Sequence, residues 1–204
     1  MVSPRALALL LSSTLLFIVP GAAMAQSPGT DPSGGAAYLP PPPPTPAPDP
    51  APAQITVPGT IAQLLPDGTA AAPADAPAPV QQAIWGANQI QGKPYVYGGG
   101  HASFVAKGYD CSGTVSYALH AAGLLKTPLD SSSFMRWGAA GPGQWITVYA
   151  NPGHAFAVIA GLRLDTSAAG VARVNGPKAA ERGPRWRPTL RSAAGYKRRH
   201  PVGF

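Results

Sequence analysis

Hydrophobic and polar positions change rhythm several times along this chain. Ala6 to Val19 is an apolar run broken only by Ser12, Ser13 and Thr14. From Gln26 to about residue 79 no sustained period survives, although Ile55-Thr56-Val57 and Ile61 to Leu65 form two small apolar patches. Val80, Ala83, Ile84, Ala87 and Ile90 then recur at helical spacing, and Gly92 and Pro94 stop that predicted helix. Tyr95 to Gly100 reads as a glycine-rich loop. Asp110 is placed to cap a second helix, with Cys111 in its first turn and Gly123 at its end. Cys111, Val115, Ala118 and Ala122 share one face of that helix. A short helix is predicted from Ser132 to Trp137, capped by Ser131 and closed by Gly138. Beyond it the period falls to two. Strands are predicted over Trp145–Tyr149, His154–Ala160, Leu162–Thr166 and Tyr196–His200. Helices followed by an antiparallel meander predict an α+β fold, with the helices packed on a central antiparallel sheet.

Composition divides the chain into three. Residues 1–25 read as a secretory signal peptide: Arg5 is the short positive start, the apolar run follows, and Ala23-Met24-Ala25 is a small-x-small cleavage site. The run is short for a membrane span, so none is expected after cleavage, and no cysteine lies near the cut to take a lipid. Residues 26–79 read as a disordered Pro/Ala-rich linker. Pro40 to Pro44 is a run of five prolines, and the segment holds four acids (Asp31, Asp49, Asp67, Asp75) and no Lys or Arg. Such a stretch buries too little apolar surface to offset its ordering entropy, although its two apolar patches are candidates for docking on the domain. Residues 80–204 are of ordinary size for one domain.

Charge separates the linker from the domain. Residues 80–204 hold fourteen Lys/Arg and four Asp/Glu, and ten of those bases lie from Arg163 to Arg199. A basic surface fits an anionic surrounding such as wall polymers or lipid headgroups. Export and the lack of an aromatic-basic recognition motif speak against nucleic acid. A solvated basic face that keeps the protein soluble accounts for the same charge.

Cys111 is the single cysteine of the chain. A lone thiol in a secreted protein is either inert and buried or reactive. A helix start favours the thiolate and offers backbone N–H groups to an oxyanion, so Cys111 is the candidate nucleophile. Four histidines are present: His101, His120, His154 and His200. His154 opens a strand after Asn151-Pro152-Gly153, where packing against the helix would bring it to the cysteine; the plain alternative is a satisfied strand-end residue. His101 lies in the glycine loop within reach of the same place, His120 on a helix surface and His200 near the end. If Ala160-Gly161 is a two-residue hairpin turn, Phe156 opposes Asp165 and Ser167 opposes His154. Asp165 is then a diagonal neighbour of His154, able to orient the imidazole; a salt bridge to an arginine is its other reading.

With these residues in view, a family resemblance emerges. Gly92-Lys93-Pro94-Tyr95-Val96-Tyr97-Gly98-Gly99, then Gly108-Tyr109-Asp110-Cys111-Ser112-Gly113, then Gly153-His154 opening a hydrophobic strand, resembles the NlpC-type cysteine peptidases, papain-like cell-wall hydrolases. The resemblance spans residues 80–202. It implies a papain-like fold, Cys111 as nucleophile, His154 as base, Tyr95 lining the cleft near the oxyanion, and Asp110 and Ser112 helping to bind the substrate peptide. The chain departs from the family in two places. Pro142-Gly143-Gln144 stands where a proline-glycine-aspartate turn is usual. Asp165 stands where the third polar residue is usually histidine, asparagine or glutamine.

The resemblance implies a cysteine endopeptidase; the signal peptide predicts that it is secreted, to the wall or periplasm, and a monomer is expected. Its substrate would be the peptidoglycan stem peptide, cut between D-glutamate and a diamino acid. Two other functions fit the same residues: an amide or ester hydrolase on another extracellular substrate, and a non-catalytic wall-binding module. No cofactor is expected. One cysteine and four scattered histidines give no metal-ligand spacing, and Gly98 to Gly100 lacks the lysine and hydroxyl residue of a phosphate loop.

Overall fold

The computed structural model describes residues 54–168, 183–188 and 190–204. The expected signal peptide, and the linker up to residue 53, lie outside the described residues. The rest is mixed α+β. A six-stranded antiparallel sheet runs in the order β4 (Ala139–Ala140), β9 (Lys197–His200), β5 (Ile146–Asn151), β6 (His154–Ile159), β7 (Leu162–Leu164), β8 (Trp186–Arg187). Helices α1 (Ala78–Ile90) and α2 (Cys111–Ala121) pack beside it, with a short α3 (Ser131–Phe134). Among the described residues no helix is long and apolar enough to cross a membrane.

The period-two pattern explains the sheet. Ile146, Val148 and Ala150 of β5, Ala155, Ala157 and Ile159 of β6, and Leu162 and Leu164 of β7 are buried in one core with Val80, Ala83, Ile84 and Ala87 of α1 and Val115, Ala118 and Leu119 of α2. The helices cross closely because Gly86 has no side chain: a Cβ there would collide with that of Ala121. Helix α2 ends as its glycine requires. Gly123 takes φ 72°, its N–H donates to His120 O, and the Leu124 N–H donates to Leu119 O.

The domain starts earlier than expected. The stretch 54–79, assigned to the disordered linker, carries β1 (Thr56–Val57), β2 (Gln63–Leu64) and β3 (Ala70–Pro73), which form a three-stranded sheet in the order β1-β3-β2. Ala70, Ala71 and Ala72 are buried. Small side chains read as spacer in a composition count, yet they let this backbone lie against α1. Asn88 of α1 makes the joint: its Nδ2 donates to Ala70 O, its Oδ1 accepts the Ala70 N–H, and that oxygen also accepts the Trp186 indole N–H. Both apolar patches dock, as was open to them: the Trp85 indole N–H donates to Ile55 O, and Ala62 N–H donates to Ala160 O.

Smaller differences have local causes. The third helix is capped by Asp130, not Ser131, because its carboxylate accepts the Ser133 N–H at 2.7 Å. Strands β4 and β8 are two residues long and leave no period to read.

Candidate active site

The site forms where the start of α2 meets the start of β6. Asp110 adopts extended backbone ahead of the helix, and its Oδ1 accepts the Gly113 N–H at 2.8 Å. Thr114 N–H makes the first helical bond, to Asp110 O. The N–H groups of Cys111 and Ser112 therefore lie outside the helical ladder, at the positive end of the helix. Gly113 is required by packing: a Cβ would run into the carbonyl oxygen of Gly99 in the glycine-rich loop. Cys111 itself is an unpaired thiol with 8% of its surface exposed.

The hairpin joining β6 and β7 sets the second half. Ala160 and Gly161 form a tight turn with φ 46° and 83°, both left-handed. Ile159 pairs with Leu162, Val158 with Arg163, and Ala157 with Leu164. The register puts Asp165 diagonal to His154, and the side chains meet: His154 Nε2 lies 2.9 Å from Asp165 Oδ1. The Asp165 side chain is fully buried, and its Oδ1 also accepts the Ser167 N–H at 2.8 Å. A carboxylate only accepts, so His154 Nε2 is the donor. That leaves Nδ1 as the nitrogen available to Cys111, which lies close enough to His154 to raise its pKa.

Charge follows from this placement. Burial works against a charged His154 ring, but the bond to Asp165, the nearby Cys111 and the negative charge of Asp165 outweigh it, and the pKa is pushed up to about 9. Burial likewise opposes a charged Asp165. The bonds from His154, Ser167 and Arg191 prevail and hold it below its usual range. An imidazolium is thus the stable form at neutral pH, backed by a buried carboxylate.

A second histidine–aspartate pair involves the residue just before the cysteine. His101 Nε2 lies 3.0 Å from Asp110 Oδ2 and 3.0 Å from Ser112 Oγ. Asp110 Oδ2 accepts the Gly98 N–H, and its Oδ1 accepts from the Ser112 hydroxyl. Both oxygens of Asp110 are therefore engaged within the chain. Tyr95 is bridged to Tyr109 just before the cysteine, and the Val96 N–H donates to Tyr109 O. The Tyr95 side chain is 38% exposed. His120 stacks on Phe104, and His200 bonds Gly141 O, both through contacts outside the Cys111 and His154 cluster.

Of the residues singled out in the sequence, Asp110, Cys111 and Ser112 share the start of α2, His154 meets Asp165, and Tyr95 is bridged to Tyr109. Pattern reading gave no signal for Arg191, whose Nη1 lies 3.1 Å from Asp165 Oδ2, nor for Arg163 in the same cluster. Among the described residues no group of three or more His, Cys, Asp or Glu is placed to hold a metal ion.

No family model and no curated protein matches the chain. Among solved structures, the chain is similar to RipB of Mycobacterium tuberculosis, a peptidoglycan hydrolase, with a TM-score of 0.43 and 21% identity over 62% of this chain. The chain spans 66% of that protein's chain, just under two thirds of its length. A likeness of that size carries no argument about activity.

Proposed function

We propose that the protein is a secreted cysteine peptidase that hydrolyses amide bonds in peptidoglycan stem peptides. One observation carries this reading: an imidazole bonded to a buried aspartate, its pKa raised by that aspartate and by Cys111, stands near the chain's single cysteine at a helix start. The motif around Cys111 and the apolar run with its small-x-small site support the substrate class and the export.

In the first step the Cys111 sulfur, as thiolate, attacks the carbonyl carbon of the scissile amide. The electron pair of the C=O bond moves to oxygen. The Cys111 N–H, outside the helical ladder, donates to this oxyanion, and Tyr95 lines the same side; one such donor is worth about 2.7–4 kcal/mol in a serine-protease case. The tetrahedral species collapses, the C–N bond breaks, and His154 gives its Nδ1 proton to the leaving amine. The now neutral imidazole then takes a proton from water, whose oxygen attacks the thioester. The acid product leaves and the thiolate–imidazolium pair is restored. Asp165 holds the ring through Nε2 at each stage. Asp110 and Ser112 shape the substrate side of the nucleophile, Asp110 chiefly by tying the helix start to Gly98 and His101.

Defined muropeptides digested and resolved by mass test the reading. The native protein is expected to split the stem peptide between D-glutamate and the diamino acid. Cys111→Ser is expected to fold normally and to leave the peptide intact. Undiminished cleavage by Cys111→Ser would remove the thiol from the mechanism, and an inert native protein would remove the substrate class.

A further inference from the structure

Asp165 has two oxygens, and the mechanism above uses one. Oδ2 faces the other way, where Arg191 Nη1 lies at 3.1 Å and Arg163 Nε at 3.8 Å. The second distance is too long for a hydrogen bond. Arg163 is fully buried, and its three nitrogens have no hydrogen-bond partner among the described residues. Among the described residues, Arg191 is thus the group that satisfies Oδ2.

Aromatic rings hold Arg191 in place. Its guanidinium carbon lies 5.1 Å from the centroid of Phe156 and 5.4 Å from that of Tyr196. The same two rings flank His154: Tyr196 stands edge-on to it at 6.4 Å and Phe156 lies tilted at 6.3 Å. Phe156 in turn stacks on Tyr149 at 4.6 Å, which anchors the group on β5 and β6. Cation and imidazole therefore share one aromatic frame and one carboxylate.

We propose that Arg191 is a positioning residue: braced on Phe156 and Tyr196, it binds Oδ2 of Asp165 and so fixes the carboxylate that orients His154. This rests on the cysteine–histidine reading and extends it by one residue. A planar guanidinium suits the task, because it can lie against a ring face and donate in plane at the same time. Without it, Oδ2 would be a buried ionised oxygen with no hydrogen bond, and the carboxyl group would turn to find one, loosening its hold on His154.

The test uses the full-length protein and a readout that needs no substrate: the rate of Cys111 alkylation by iodoacetamide as a function of pH. Arg191→Met is expected to move the alkaline limb of that profile to lower pH, since a loosened carboxylate supports the imidazolium less. It is also expected to lower kcat about tenfold with KM little changed, the size of one lost charge-assisted bond. Arg191→Lys, which keeps the charge without the fork, should fall between; it also serves if the methionine variant fails to fold. In Asp165→Asn, adding Arg191→Met should do no further harm, because the arginine acts through the carboxylate. An unmoved limb, a limb moved to higher pH, or losses that multiply in the double variant would each overturn the proposal. If the native protein itself shows no limb that His154→Ala removes, the cysteine–histidine reading falls and this inference falls with it.

Discussion

The two histidine–aspartate pairs at the candidate site are built from the same residue types at nearly the same distance, 2.9 Å for His154–Asp165 and 3.0 Å for His101–Asp110. They differ in what surrounds the acid. Asp165 is fully buried between guanidinium groups, and its histidine has its pKa raised by the nearby thiol as well as by the acid. Asp110 accepts backbone N–H groups from Gly98 and Gly113, and its histidine is 35% exposed on a loop. The first pair places charge on an imidazole near Cys111. The second clasps a glycine-rich loop to a helix cap. Identity of the pair therefore does not decide its role; the burial of the acid and the partners of its carboxylate oxygens do.

Exchanging the two histidines for alanine gives the sharpest separation. His154→Ala is expected to lower hydrolysis by about 10²–10⁴-fold, the range for losing a general acid–base. His101→Ala should keep activity within about tenfold of the native protein, one lost bond's worth, and lower Tm instead. Losses of equal size would erase the distinction drawn here.

The two acids come next. Asp165→Asn is expected to lower kcat by about one to two orders of magnitude, as losses of orienting partners do. It should also shift the alkaline limb of kcat/KM down from about 9, because Asp165, together with Cys111, raises His154 against burial. Asp110→Asn should leave that limb in place and destabilise the fold by about 1 kcal/mol or less, since asparagine also caps helices. A limb that moves with Asp110 and not with Asp165 would assign the charge to the wrong pair.

Stability against pH gives the smallest effect. His154 has a folded pKa of about 9 against an ordinary value of 6.5, so its contribution is complete below 6.5 and is lost as pH rises through about 9. Asp165 is lowered from 3.8, so its contribution is complete above that value and is lost as pH falls through its folded pKa. Tm should therefore decline on both sides of a plateau between those limits. In His154→Ala the decline between 6.5 and 9 should flatten; an unchanged alkaline slope would mean that the ring gains no charge on folding.

Much of this geometry was legible in the residues because it is local or periodic. The Asp110 cap and the first turn at Cys111 follow from short-range chemistry, and the Ala160-Gly161 turn fixes the register that brings Asp165 to His154. The N-terminal sheet was not legible: Ala70 to Ala72 are buried, with Ala70 tied to Asn88 far along the chain, and nothing in an alanine run announces such a partner. Arg191 escaped for a similar reason. It sits in an aperiodic segment among many bases, and only the folded chain shows which of them reaches Asp165.

The central claim is that the sulfur of Cys111 and the imidazole of His154 work as one unit. Iodoacetamide alkylation of Cys111 at neutral pH, compared between the native protein and His154→Ala, tests it most directly. The account predicts that native Cys111 reacts faster than free cysteine and slows to an ordinary thiol's rate when the imidazole is removed. Equal rates in the two proteins would contradict it.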